Sequence, residues 1–214
     1  MQEPTRIMAI RHGETSWNVD GRIQGHMYIP LNDRGRWQAR QLAHALKSER
    51  LAAIYSSDLK RAMETAREIA RPGHSAPVPE PRLRERCFGC HEGRTFAEVE
   101  REAPEHALRW RRRDPEFAPR GGESLLLLRE RIRETVDDLA RRHAGASIVL
   151  VAHGGVMDVL YRLATRQHLQ AARGWQLPNA AINRLLWSPD TGLTLVGWAD
   201  TSHLDLVARD ELHD

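Results

Sequence analysis

Two apolar runs that stop at the same kind of step constrain this chain most. Ile7-Met8-Ala9-Ile10 ends at Arg11-His12-Gly13, and Ile148-Val149-Leu150-Val151-Ala152 ends at His153-Gly154-Gly155. Continuous runs without alternation suit parallel strands covered by helices on both faces. In an open sheet of that kind, ligands sit beyond the carboxyl ends of the strands, where the strand order reverses. If the two runs are neighbours, His12 and His153 meet in that crevice. A lone histidine after a strand is usually structural. Two of them, each followed by glycine that lets a group approach the backbone closely, point to a site.

The remaining pattern supports the same fold class. Ala52–Tyr55 reads as a third strand. Ile182–Trp187 and Leu193–Trp198 alternate, flank the turn Ser188-Pro189-Asp190-Thr191-Gly192, and predict a hairpin at the sheet edge. Asn32 or Asp33 can cap a helix over 34–48, and Ser57 or Asp58 a second one to about Ala70, ended by Pro72-Gly73 and a Pro-rich loop to Pro81. Glu123–Arg142 carries apolar residues at helical spacing, and a further helix follows His153. Residues 94–122 break the rhythm with Pro104, Pro115 and Pro119 and read as a helical excursion. The expectation is an α/β fold. It has a doubly wound, mostly parallel sheet, helices on both faces, and residues 1–214 forming one domain.

Charge excludes some classes of partner. The 32 basic residues nearly balance 29 acidic ones, leaving a net charge of +3 and no field that calls for nucleic acid or a membrane. All the basic residues but Lys47 and Lys60 are arginines, which bind phosphate and carboxylate in a bidentate fork. Met1–Arg6 shows no signal peptide, and no apolar stretch approaches the ~20 residues of a bilayer span, so the cytoplasm is the expected location. The run Arg109-Trp110-Arg111-Arg112-Arg113 is either a solvated helix face or a substrate contact. Cys87-Phe88-Gly89-Cys90-His91 matches a haem-attachment pattern. No second cysteine pair completes a zinc site, and two reduced thiols in a turn account for it. No cofactor and no metal are expected.

Beside His12 stands Arg11, and Arg61 falls near the start of the second helix in Ser56-Ser57-Asp58-Leu59-Lys60-Arg61-Ala62. Two arginines and two imidazoles suit a dianionic phosphoryl group. With these residues in view, Arg11-His12-Gly13-Glu14-Thr15-Ser16-Trp17-Asn18 resembles the signature of the histidine phosphatase (phosphoglycerate-mutase-like) superfamily. Further pieces agree in order. They are Gln24-Gly25, Leu31–Ala39, Ser57–Ala62, Leu83-Arg84-Glu85 leading to Gly89–Gly93, Gly121-Gly122-Glu123-Ser124, Val151–Gly155 and Ser202-His203-Leu204.

The resemblance covers essentially the whole chain and implies roles residue by residue. His12 is the nucleophile that becomes phosphorylated, and Arg11, Arg61 and His153 bind the phosphoryl group. Glu85 is the proton donor to the leaving oxygen and then the base for water. Without the resemblance, Glu85 reads as a surface glutamate between Arg84 and Arg86. Thr15, Asn18, Gln24, Gly25 and Gly154 bind substrate. The haem-like string falls inside the Glu85-to-Gly93 segment, which places both cysteines near the acid. His91 stands where relatives carry a bulky or apolar side chain, which points to unusual leaving-group recognition.

The expected activity is hydrolysis of a small phosphorylated metabolite through phosphohistidine, with oligomeric state left open. His153-Gly154-Gly155 in place of His-Gly-Asn, a short excursion between Gly93 and Gly122, and Gly-Gly-Glu-Ser favour a phosphatase over a cofactor-dependent mutase. A non-catalytic phospho-ligand-binding module on the same fold would typically lack His12 or Glu85, and both are present.

Overall fold

The computed structural model describes residues 3–71 and 73–205. Pro72 and the N-terminal Met1 and Gln2, which entered the sequence reading, lie outside the described residues. Six strands among them form one sheet: β1 (Thr5–Arg11), β2 (Leu51–Ser56), β3 (Val78–Pro79), β4 (Ser147–Ala152), β5 (Ile182–Ser188) and β6 (Gly192–Asp200), in the order β3-β2-β4-β1-β5-β6. β1 to β4 are parallel. β5 runs antiparallel to β1, and β6 pairs with it as the expected edge hairpin. The two-residue β3 lies within the Pro-rich loop and was not foreseen, because so short a strand has no periodicity to read.

Among the described residues, seven α-helices accompany the strands: α1 (Ser16–Val19), α2 (Asp33–Leu46), α3 (Lys60–Ala70), α4 (Phe96–Glu102), α5 (Pro104–Arg111), α6 (Leu125–Arg141) and α7 (Gly154–Thr165). Alternate residues of the apolar runs face opposite layers. Ile7, Ala9, Ile148, Leu150 and Ala152 pack with Leu128, Ile132, Val136 and Leu139 of α6 and with Val156 and Leu160 of α7. Met8, Ile10, Val149 and Val151 pack with Leu42 and Leu46 of α2 and with Ala62, Ala66 and Ile69 of α3. Both faces of the two central strands are therefore buried, which is why they carry continuous apolar runs.

Local chemistry sets the helix ends. Asn32 caps α2 by accepting from Gly35 N at 2.8 Å, and Ser124 caps α6 by accepting from Leu127 N at 3.2 Å. The expected cap of α3 is corrected. Its first residue is Lys60, preceded by Leu59 with no side-chain cap. Ser57 and Asp58 are committed elsewhere, Ser57 to His153 and Asp58 to an ion pair with Arg84. The excursion at 94–122 contains α4 and α5, and α4 opens with a reciprocal capping box between Thr95 and Glu98. No helix among the described residues is long and apolar enough to cross a membrane.

Candidate active site

Strand register brings the two histidines together. β1 and β4 are neighbours with Arg11 level with Ala152, so His12 and His153 leave the sheet side by side. His12 N donates to Ala152 O at 3.0 Å, and the two rings lie 5.2 Å apart between centroids. The connections also diverge here: β1 leads to α2 on one face and β4 to α7 on the other, so this is the switch point where α/β sheets bind ligands. Ser57 N donates to Val151 O at 2.9 Å, which brings the end of β2 to the same edge.

Both imidazoles are buried, His12 at 3% and His153 at 0% exposure. His12 Nδ1 lies 2.7 Å from Gly13 O, and a carbonyl only accepts, so Nδ1 carries the proton. In the neutral ring that leaves the Nε2 lone pair free. His153 Nε2 lies 2.8 Å from Ser57 Oγ, a partner the sequence reading missed because Ser57 stood out only as a helix cap. Burial, followed by the charges of Arg61 and Arg11, pushes His12 well below the ordinary histidine value. Burial, then Arg61, His12 and Arg11, does the same to His153.

The sign of that shift sets a stability prediction. A histidine neutral in the folded state and protonated near pH 6.5 when unfolded stabilises the fold above that value. The contribution is lost as pH falls through 6.5. Thermal unfolding should give a flat midpoint between pH 8 and 7 and a falling one from 6.5 to 5. His12→Gln should soften the fall. A midpoint that rises as pH drops from 7 to 5 would contradict burial of the neutral pair.

The two arginines stand around the imidazoles in different ways. Arg11 ends β1 and donates Nη1 to Leu177 O, while its buried Nε has no protein partner. Arg61, 1% exposed on the first turn of α3, donates Nη1 to Met27 O at 2.9 Å and Nη2 to Gly25 O at 2.8 Å. Its Nε is also without a protein partner. Burial lowers Arg61 to about 10, and it remains cationic at neutral pH. Two guanidiniums with unspent donors thus lie near enough to both imidazoles to lower their basicity, a grouping that suits a tetrahedral dianion.

Glu85 faces the start of α7. Its Oε2 accepts from Gly155 N at 2.9 Å and its Oε1 from Arg86 N at 2.8 Å. A Cβ on Gly155 would come within 2.3 Å of Oε1, so glycine is required there for the carboxylate to reach the helix. Gly154 lies beside Arg11 and Glu85. The glycine after His12 serves a different purpose from the one expected. A Cβ on Gly13 would sit 2.5 Å from Gly35 O, so it lets two backbone segments touch and does not open a path to a ligand.

The other expected substrate residues divide. Thr15 is fully buried and caps α1, its Oγ1 accepting from Asn18 N at 3.1 Å while Asn18 Oδ1 accepts from Thr15 N at 3.0 Å. Asn18 also accepts from Asn179 Nδ2 at 3.3 Å. Gln24 is buried with Oε1 unpartnered, and Gly25 contributes its carbonyl to Arg61. Glu92 Oε1 ties the 24–26 loop to the segment after Glu85, accepting from His26 N and Phe88 N at 3.0 Å each. Asn179 holds His12 O at 2.9 Å, and Arg131 binds the carbonyls of Arg82 and Arg84 at 2.6 and 3.0 Å. No motif marks Asn179 or Arg131, because their partners are backbone atoms distant in sequence.

A 440 Å³ cavity opens from Arg11, Gly154 and Gly155. It is lined further by Arg86, Phe88, Trp110, Arg113, Asp158 and Arg173. The arginine run divides: Arg109, Arg111 and Arg112 are exposed, while Trp110 and Arg113 line the cavity. His91 does not. It is buried against His106, Nε2 to Nδ1 at 2.9 Å, and Phe88 faces the cavity from the same turn. Cys87 and Cys90 are free thiols.

Comparison with known proteins agrees with this geometry. The family model described as histidine phosphatase superfamily (branch 1) matches residues 7–201. Phosphoglycerate mutase-like protein 4 of Arabidopsis thaliana is 38% identical over 93% of this chain and 86% of its own. The metal-independent phosphoserine phosphatase of the same plant is 38% identical over 96% and 85%. A mycobacterial glucosyl-3-phosphoglycerate phosphatase, solved with VO3, superposes with a TM-score of 0.79 at 34% identity, covering 92% of this chain and 99% of that one. The ordered motifs, the paired strand-end histidines and these matches together place the chain in the histidine phosphatase superfamily, branch 1.

Proposed function

We propose that residues 1–214 act as one cytoplasmic catalytic domain that hydrolyses phosphomonoesters of small metabolites through phosphohistidine at His12. The observation that carries this reading is a neutral, buried His12 whose Nδ1 is spent on Gly13 O, standing beside His153 and near enough to Arg61 and Arg11 to feel their charges. Nε2 attacks phosphorus, and the P–O bond to the leaving group breaks in line. Arg11 and Arg61 bind the non-bridging oxygens through donors that the protein leaves unspent. The arriving dianion favours the protonated form of His153, which then donates to it. Glu85 protonates the departing oxygen. In the second half its carboxylate takes a proton from water, which attacks the phosphohistidine and releases phosphate.

Thr15, Asn18, Gln24, Gly25 and Gly154 shape the entrance to this space. Thr15 and Asn18 act chiefly by fixing the loop after His12. Relatives named as a metal-independent phosphoserine phosphatase and a glucosyl-3-phosphoglycerate phosphatase support hydrolysis of small phosphate esters. The relative named phosphoglycerate mutase-like keeps phosphoryl transfer between two esters as the second reading.

The test is an aryl phosphate assay in EDTA, combined with rapid quench and acid-labile phosphate counting. Turnover should survive chelation, since guanidiniums supply the charge stabilisation that a metal ion gives elsewhere. Orthovanadate should inhibit competitively by adopting five-coordinate geometry at His12. Activity lost in EDTA and restored by a divalent ion would overturn this reading.

A further inference from the structure

The Glu85 carboxylate is placed in part by its own backbone. Oε1 accepts from Arg86 N at 2.8 Å, while Oε2 accepts from Gly155 N at 2.9 Å. The Arg86 N–H and the Glu85 carbonyl are the two ends of one peptide group. A trans peptide group is planar, with its N–H and C=O pointing opposite ways. Whatever fixes the Glu85 carbonyl therefore fixes the direction of the N–H that the carboxylate binds.

His26 holds that carbonyl. Its Nε2 lies 2.8 Å from Glu85 O, and a carbonyl only accepts, so Nε2 carries the proton. Arg131 Nη2 reaches the same oxygen at 3.4 Å, but that nitrogen also donates to Glu123 Oε2 at 2.7 Å. His26 makes the shorter bond and is the main anchor. The half-buried His26 is itself fixed from three sides. Glu92 Oε1 accepts from its backbone N–H at 3.0 Å. Arg61 grips the carbonyls on either side of it, Gly25 O at 2.8 Å and Met27 O at 2.9 Å. Gly25 has φ 46°, and a Cβ there would collide with the Glu92 carboxylate, so only glycine lets this loop close on Glu92. The ring also lies near enough to His153 and Asp58 for a charge on it to be felt by both.

We infer that His26 is a positioning residue for Glu85: its ring sets the plane of the 85–86 peptide group and thereby aims the carboxylate. This role rests on the phosphatase reading above and acts only through Glu85. The guanidinium assigned there to the phosphoryl group also pins the loop around His26, so one chain of hydrogen bonds joins the phosphoryl site to the acid. Without the Nε2 donor, the Glu85 carbonyl loses its short bond and the peptide plane is free to turn toward water. The Arg86 N–H turns with it, and the carboxylate loses one of its two holds. Misplacing a reacting group by about 1 Å costs up to roughly 10²-fold in rate.

The test follows para-nitrophenyl phosphate by rapid mixing, which resolves phosphorylation of His12 from hydrolysis of the phosphoenzyme. The first step needs no acid from so activated an ester, and the second needs Glu85 as base. His26→Phe keeps a flat ring and has no donor. Its phosphoenzyme hydrolysis should slow about ten- to a hundred-fold, with phosphorylation much less affected. His26→Gln, whose amide nitrogen reaches the place of Nε2, should restore most of the loss. His26→Asn, whose amide falls short of Glu85 O, should behave as His26→Phe does and replaces it if circular dichroism shows that variant unfolded. In a Glu85→Gln background, His26→Phe or His26→Asn should cost nothing further. Unchanged rates in the donor-less variants, equal loss in both steps, failure of His26→Gln to restore hydrolysis, or a full additional loss in the Glu85→Gln background would overturn the inference. A wild-type protein that hydrolyses no para-nitrophenyl phosphate would instead overturn the phosphatase reading beneath it.

Discussion

His12→Ala should abolish phosphatase turnover, with a loss of roughly 10⁴–10⁶ in kcat, the scale at which removing a nucleophile leaves only binding and electrostatic contributions. No acid-labile phosphate should accumulate on the variant after incubation with substrate. His12 is 3% exposed and packed between Gly13 O and the His153 ring, so truncation leaves a cavity and an unpartnered carbonyl. A stability loss of about 1–3 kcal/mol is therefore expected. It is partly offset at acidic pH, where the wild-type protein bears the cost of a neutral buried imidazole. Circular dichroism and thermal melts separate this modest destabilisation from unfolding. Phosphate still retained in acid-labile form on a folded His12→Ala protein would move the nucleophile elsewhere, His153 being the next candidate.

Glu85→Gln should separate acid catalysis from positioning. On an alkyl phosphate the leaving group is poor, and kcat should fall by roughly 10²–10⁴, the usual worth of a positioned acid. An activated aryl ester departs without a proton, so phosphorylation of His12 should be much less impaired. Hydrolysis of the phosphoenzyme then slows, because Glu85 is also its base. The variant should show a burst of phenol release and a slow steady state. The structure adds one complication. Each carboxylate oxygen accepts a backbone N–H, from Arg86 and from Gly155, and an amide can accept only one of them. Some displacement of the side chain is expected, visible as an aryl burst slower than wild type, though faster than the steady state. Wild-type turnover of an alkyl ester would transfer the acid role to Glu14 or Glu92. Glu92 is a weak alternative, since its Oε1 already accepts from two backbone N–H groups.

The sequence reading reached the fold class, the edge hairpin and the grouping of His12, Arg11, Arg61 and His153, because each rests on a local signal. A strand buried on both faces must be apolar at consecutive positions, and the central pair is. A helix packed on a sheet must repeat its apolar residues every three or four positions, and Leu128, Ile132, Val136 and Leu139 do. Motif order then named Glu85 when its neighbours, two arginines, suggested only a charged surface. Helix ends were less readable where a capping residue had a second suitor, as at Ser57 and Asp58.

What composition and spacing could not supply is the environment that gives these residues their chemistry. Ser57 on His153, Asn179 on His12, and Arg131 on the backbone before Glu85 join positions 96, 167 and 47–49 residues apart, and their partners include carbonyls that look alike in any sequence. Arg86 is two residues from Arg84 in the chain, yet Arg84 pairs with Asp58 near the surface while Arg86 is buried under Trp110. The arginine run was one pattern of five residues until packing turned Trp110 and Arg113 into the cavity and left the others in water. Strand order and register bring the phosphoryl residues together by rules that are written locally. Which charge is buried, and what faces the leaving group, follows from how the excursion at 94–122 docks on α7, and that is decided only by contacts between segments far apart in the chain.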